Sequence, residues 1–548
     1  MTMGRPWQYG SLMRQQFSTV AERIVDAMLA ESPVLAQTAG DHRYDDRLPD
    51  LSPDGVARHV ALLRDAADAL SQVDTDALTP EEAVDCTVLL ARVERTLFEL
   101  TEVREHEWNP MAHNPGGLLH PLLSRPFAPV EERLTALAAR LTALPDTLAT
   151  ARAVLRDVPR IHLETAIGQF TGLHSLIRGE ADALLREEPG LRATVNPAQE
   201  TAAAAIDEFV AWLRAQQGEG RDPRLGRRLW EARLWHTLDT ELTAAQIIKS
   251  AGENLERISE EIRETAAAMT GAPATDDAVR EALQRSARDR PDNTSIVERA
   301  RQAMAEATAF VDQFELVSLV DDPCEILEMP EFARGIAVAY CDPPGLLESG
   351  DLPTFYCISP TPADWPAERV DSFYREYNDH MIRNLTVHEA MPGHFLQLAH
   401  ARRAKGARKV RAVSRSGPFV EGWAVYAEEL MVEHGYGGRA VKLQQLKMQL
   451  RMTINAIIDQ LVHCADMSEQ EALALMRGSG FQEEGEAVGK WRRALLTSTQ
   501  LSTYFVGYLE VAAIARARPA NTPLRDWHDA MLSHGSPPPR HLRALLNI

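Results

Sequence analysis

Two histidines six residues apart, His388 and His394, enclose a proline and a glycine within MIRNLTVHEAMPGHFLQLAHARRA (381–404). The composition on both sides is helical, so the spacing sets a geometric problem. At about 3.6 residues per turn, six residues advance about 600°, which leaves the second side chain about 120° around the helix and about 9 Å along it. Side chains placed that way on a straight helix cannot meet. Pro392 removes a backbone hydrogen bond and clashes with the preceding turn, while Gly393 accepts dihedrals closed to other residues. A widened or π-type turn can swing His394 back beneath His388, and such bulges recur at functional sites. The spacing predicts a distorted helix at residues 391–394.

The reason to expect the rings to meet is Glu389, directly after His388. A catalytic zinc is held by imidazole nitrogens and a carboxylate and keeps one position open. In the HExxH arrangement the glutamate beside the first histidine acts as general base on water at the metal. A third ligand must come from elsewhere, and SGPFVEGWAVYAEEL (416–430) offers Glu421 at the start of a second helix. Glu428, two turns on, shares its face and can orient a ligand histidine from behind. The expected set is therefore His388, His394 and Glu421 around one zinc ion, with Glu389 as base. Singly these residues are ordinary; the pairing of HEAMPGH with EGWAVYAEE carries the reading.

The remainder of the chain reads as helix. Ile206, Phe209, Val210 and Leu213 fall at i, i+3, i+4 and i+7, and Leu134, Leu137, Ala138 and Leu141 repeat the pattern. Thr243 and Gln246 make a capping-box pair ahead of a helix lined by Ile247, Ala251, Leu255, Ile258 and Ile262. Strand-like segments are limited to GIAVAYC (335–341) and TFYCIS (354–359), which read as one small hairpin or sheet near the active site. Loop signals stand at 109–117, 217–223, 287–293 and 534–539, and no repeat marks a solenoid. The expected fold class is mainly α, with an N-terminal helical half over 1–225 and a catalytic half over 226–548 packed as one unit.

Composition narrows the partners. A hydrophobic share of 45% over 548 residues is enough for a folded core. The formal charge of −21 and the lack of a basic stripe argue against nucleic acid. The densest basic stretch, Arg402 to Arg415, reads as a solvated helix or loop face. Cys86, Cys324, Cys341, Cys357 and Cys464 form no CxxC pair and read as reduced, structural thiols. No apolar run has the length of a signal-peptide core or a bilayer span, which leads to the expectation of a cytoplasmic protein with no membrane partner.

At its two histidine- and glutamate-bearing segments the chain resembles the bacterial family called domain of unknown function 885, whose signature reads approximately HEAxPGHH followed by EGWAxYxE. Further landmarks are NPGGLLHPLLSRPF (114–127), REYN (375–378), DQLVH (459–463) and RALLTSTQLSTYFVG (493–507). The family is similar to helical zinc peptidases of the carboxypeptidase Taq and angiotensin-converting type. That similarity implies a large zincin-like groove lined by helices. It also implies that His463 and Tyr504 stabilise an oxyanion and that Arg493 grips a substrate carboxylate. The chain departs from the family pattern at Phe395, Leu461, Ala494 and Ser498, which points to a substrate pocket of its own.

The expected function is a zinc metallohydrolase of the peptidase or amidohydrolase type, cleaving a small peptide or a modified amino acid with water activated by Glu389. Two alternatives stay open at this point: a non-haem Fe(II) enzyme with the same two-histidine, one-carboxylate set, and a zinc-containing binding protein without turnover.

Overall fold

The computed structural model describes residues 6–216, 218, 220–329, 334, 338–404 and 408–548, with side chains from residue 16 onward except that of 408. These residues are mainly helical, with one three-stranded sheet. The chain divides into two compact units. One comprises Met1–Pro223, Pro344–Leu352 and Gly406–Ser414, and the other Arg224–Pro343, Pro353–Lys405 and Arg415–Ile548. The main division falls between Pro223 and Arg224. The return of two short later stretches to the first unit has no local signal in the sequence.

In the first unit, α1 (Val130–Val154) and α2 (Arg192–Ala215) pack together and bury Leu134, Leu137, Leu141, Ile206, Phe209 and Leu213, as their helical spacing requires. The later stretches are tied in by charge. Lys409 pairs with Asp26 at 3.0 Å, and the buried Arg411 pairs with the buried Asp85. Within the second unit Arg403 pairs with Asp322 at 2.6 Å. Part of the basic stretch expected to be a solvated face is thus engaged in ion pairs, since Arg403, Lys409 and Arg411 each meet a carboxylate from a distant segment.

His42 is held in the same way. Its ring stacks on Phe127 with centroids 3.7 Å apart, Nδ1 lies 2.7 Å from Asp45, and Nε2 lies 3.1 Å from Glu348. Glu348 belongs to the returning stretch Pro344–Leu352.

The second unit carries the sheet and the candidate metal ligands. The Thr243 and Gln246 capping box starts α3 (Ala244–Thr270), and α4 (Ile296–Gln313) follows. Strands β1 (Cys324–Glu328), β2 (Ala339–Asp342) and β3 (Thr354–Ile358) lie in the order β1-β3-β2, with β1 parallel and β2 antiparallel to the fully buried β3. Two of these strands fall in the expected segments, although residues 335–337 of the first lie outside the described residues. The sequence did not signal β1. Only Ile326 of its five residues is buried, so it lacks an alternating apolar face.

Six helices complete the frame around the ligands: α5 (Ala367–Glu376), α6 (Asp379–Glu389), α7 (His394–Arg402), α8 (Gly417–Glu433), α9 (Gly438–Cys464) and α10 (Glu484–Leu496). They are followed by α11 (Ser502–Arg516). Helix α9 is buried on nearly every side and therefore shows no single apolar stripe. Helices α8 and α11 cross at Gly422 and Gly507, where a Cβ on Gly422 would stand 2.3 Å from the Gly507 carbonyl carbon. Among the described residues no helix is long and apolar enough to cross a membrane.

Burial opposes the charge on His42, but Asp45 and Glu348 overcome it and raise its pKa to about 9. A raised folded-state pKa gives stability that is complete below the unfolded value, about 6.5, and is lost as pH rises through the folded value. His42→Gln should therefore lower the thermal midpoint at pH 6, and the gap to wild type should close by pH 10. A gap that does not change with pH would rule out a charged His42.

Candidate metal centre

The expected distortion between the histidines is a full break. Helix α6 stops at Glu389, Ala390 turns to φ −132° and ψ −73°, and α7 begins at His394. The Met391–Pro392 peptide bond is cis. The backbone N–H groups of Ala390 and Met391 both donate to the Thr386 carbonyl, at 2.9 and 3.1 Å, and that of Gly393 donates to Val387 at 2.9 Å. Gly393 passes so close to α6 that an added Cβ would lie 1.9 Å from the His388 carbonyl oxygen. No residue with a side chain fits there. From α8, the Trp423 indole N–H donates to the Pro392 carbonyl at 2.8 Å and holds the break in place.

Across this break the two imidazoles face each other, with ring centroids 4.7 Å apart and planes at 82°. Glu421 Oε2 stands 3.5 Å from Nε2 of His388 and 3.5 Å from Nε2 of His394. One ligand atom from each of the three residues lies within 4.8 Å of the others. In a tetrahedral site with bonds of about 2.1 Å, donor atoms are about 3.4 Å apart. Glu421 Oε2 is buried and makes no hydrogen bond, and neither does His394 Nδ1. A buried carboxylate oxygen without a donor, equidistant from two imidazole nitrogens, suits a cation with one position left for water or substrate.

His388 is oriented from behind. Its Nδ1 donates to Glu428 Oε1 at 2.7 Å, and Asn384 donates to the other Glu428 oxygen at 2.6 Å. A donating Nδ1 leaves the Nε2 lone pair free to face the site. Burial alone would raise the Glu421 carboxyl, but the His388 and His394 imidazoles hold it well below the usual range. Burial pushes Glu389 the other way, upward; His394, His388 and a hydrogen bond from the Cys341 backbone N–H only partly offset it. That N–H belongs to the edge strand β2, which packs against α6.

The residues implied by family resemblance fare differently. Tyr504, on α11, lies near the cluster: the charge of Glu421 is the largest influence on its phenol, and with burial it raises the pKa. Its hydroxyl accepts from Arg493 at 3.4 Å. Arg493 also donates to Gln500 Oε1 at 2.8 Å, and it has no carboxylate partner among the described residues. His463 does not join the cluster. Its Nδ1 accepts from the Leu225 N–H at 3.2 Å, and its Nε2 donates to the Ala494 and Thr497 carbonyls, each at 2.9 Å. With both nitrogens occupied by backbone and burial lowering its pKa, it is a neutral brace rather than an oxyanion donor.

Sequence reasoning passed over Asn384, Trp423, Gly422 and Asn378. The last caps α6 by accepting from the N–H groups of His380 and Met381, at 3.1 and 3.2 Å. Asn378 ends the REYN landmark, and Gly422 and Trp423 directly follow Glu421, so the motifs contained the signal without the roles.

The fold and site define a helical protein with a two-histidine, one-glutamate cluster across a helix break. The model for bacterial proteins of unknown function (DUF885) matches residues 33–546, and the chain belongs to that family. Two solved structures are similar along nearly their whole length. A candidate lipoprotein of unknown function from Shewanella oneidensis is 28% identical with a TM-score of 0.81, over 97% of this chain and 100% of that one. A candidate lipoprotein from Colwellia psychrerythraea is 18% identical with a TM-score of 0.77, over 98% and 99%. No curated protein matches this chain.

Purified protein should bind one equivalent of zinc, and His388→Ala, His394→Ala and Glu421→Ala should each abolish it when metal content is measured. Glu428→Ala should weaken binding by about 10- to 100-fold. Full retention by Glu421→Ala would remove that residue from the ligand set.

Proposed function

We propose that this protein is a zinc-dependent hydrolase that cleaves a peptide or amide bond in a small peptide or modified amino acid. The observation that carries the reading is Glu389: a buried carboxylate, raised in pKa, directly after a ligand-type histidine whose partners have metal-ligand spacing. A binding site alone has no need of such a base, and a two-histidine, one-carboxylate oxygenase gains nothing evident from it.

His388, His394 and Glu421 would hold the ion. When bound, zinc acts as a Lewis acid, polarising a carbonyl and making water a stronger acid. Glu389 takes the proton of the attacking water and returns it to the departing amine. An upward shift in its pKa suits a group that must both accept and release a proton near neutrality. Tyr504 donates a hydrogen bond from its hydroxyl to the oxygen on which negative charge develops, and Arg493 positions the substrate. The Asn384, Glu428 and His388 chain keeps the first imidazole in one tautomer throughout. The likeness to helical zinc peptidases supports this reading through HEAMPGH and EGWAVYAE, and the substitutions at Phe395, Leu461, Ala494 and Ser498 support a specialised substrate.

Screening zinc-loaded protein against short peptides and N-acyl amino acids should reveal amide cleavage. Glu389→Gln should lower kcat by about 10²- to 10⁴-fold with zinc content unchanged, and Tyr504→Phe should lower kcat more than it raises KM. Rapid turnover by Glu389→Gln would sink the proposal.

A further inference from the structure

Helix α10 presents Glu486, Lys490 and Arg493 at i, i+4 and i+7, along one face. Ala487, Trp491 and Ala494 on its other side pack into an apolar cluster with α9. The burial of Lys490 shows that the polar face is turned inward as well. Glu486 is already committed, since it pairs with Arg451 and accepts from Tyr377 at 3.3 Å. Lys490 is 9% exposed and, among the described residues, has no hydrogen bond and no ion pair. Arg493, one turn on, has among the described residues only the neutral partners Gln500 and Tyr504.

A buried ammonium with no counterion is costly and is retained only where something offsets it. Burial, and then the charges of Arg451 and Arg493, push Lys490 well below the usual lysine pKa, and no carboxylate opposes them. Two basic side chains one helical turn apart thus have no acidic partner among the described residues, and an anion bound between them would favour the charged form of Lys490. Tyr504 links them to the metal ligands, because its hydroxyl touches Arg493 and its phenol senses the charge of Glu421. Arg451 interacts electrostatically with Tyr504 as well. The missing component on this wall is an anion.

We infer that Lys490 and Arg493 form an anion subsite beside the metal cluster, and that the substrate carries a carboxylate or phosphoryl group that docks there. The inference rests on the hydrolytic reading only for where the anion sits relative to the scissile amide. Lys490 adds to the arginine a compact second charge with rotatable donors, suited to an anion bearing more than one negative oxygen. The substrate class narrows to anionic amides, such as peptides ending in an acidic residue or phosphorylated amino-acid derivatives.

The test is calorimetric titration of the full chain, zinc-loaded and metal-stripped, with succinate, inorganic phosphate and neutral succinamide, for wild type and Lys490→Met. In wild type at least one dianion should bind in both metal states, less tightly as NaCl is raised, while succinamide should not. The tighter of the two dianions assigns the group as carboxylate or phosphoryl. Lys490→Met should weaken anion binding at least tenfold, leave zinc content unchanged, and keep or raise the thermal midpoint, since it removes an uncompensated buried amine. A structural lysine would instead lower the midpoint and leave anion binding intact. Equal binding by wild type and Lys490→Met, or binding of neither dianion, would overturn the proposal. Because binding is read directly, either result stands whether or not any amide is cleaved.

Discussion

The hydrogen bond from Trp423 to the Pro392 carbonyl closes the gap left when α6 stops short of α7, and the candidate site depends on that gap. Six residues of continuous helix would send the His388 and His394 rings in different directions. The break brings them together edge to face, at the expense of helical hydrogen bonds that must be satisfied elsewhere. Thr386 and Val387 accept the freed N–H groups, and the indole from α8 satisfies the proline carbonyl. Trp423 lies in the same turn of α8 as Glu421, so one helix delivers both the third donor and the staple that makes the other two converge.

A second set of buried polar contacts fixes the segment that carries Tyr504. Asp459 on α9 accepts from the Trp230 indole, from the Thr499 N–H, and from both the N–H and hydroxyl of Ser502. His463, one turn further, holds the Ala494 and Thr497 carbonyls. Together they clamp the segment from the end of α10 to the start of α11, which carries Arg493, Gln500 and Tyr504. Buried groups of this kind cost stability when left unpaired, so their full pairing gives the segment one conformation. The DQLVH landmark acts on the site through this clamp. Lys447 with Glu376 at 2.7 Å serves a similar purpose between α9 and α5.

Sequence and structure agree where the information is local. HEAMPGH and EGWAVYAE pointed to a distortion between the histidines, which the structure makes a full break, and to His388, His394, Glu421 and Glu428 as neighbours, because proline, glycine and ligand spacing have direct geometric consequences. The capping box at Thr243 and the apolar faces of α1, α2 and α3 were legible for the same reason. Other features depended on contacts distant in sequence. Nothing in His463 itself distinguishes a donor to substrate from a donor to two carbonyls of a neighbouring segment. The strand β1 has one buried residue and exists through its partner β3. The basic stretch resembled a solvated face because its carboxylates, Asp26, Asp85 and Asp322, lie far away in the chain. Lys490 drew no attention for a related reason: a lysine is conspicuous only once its burial and the lack of a counterion are known.

The contact between Gly422 and Gly507 sets a dimension of the site. Glu421 adjoins one glycine and Tyr504 stands within a turn of the other, so backbone against backbone fixes the spacing between carboxylate and phenol, with no intervening side chain to compress or swing aside. Such a gauge is insensitive to rotamer noise and intolerant of thickness. A single methyl group at this crossing would act as a shim, moving the two chemical groups apart together with the helices that bear them.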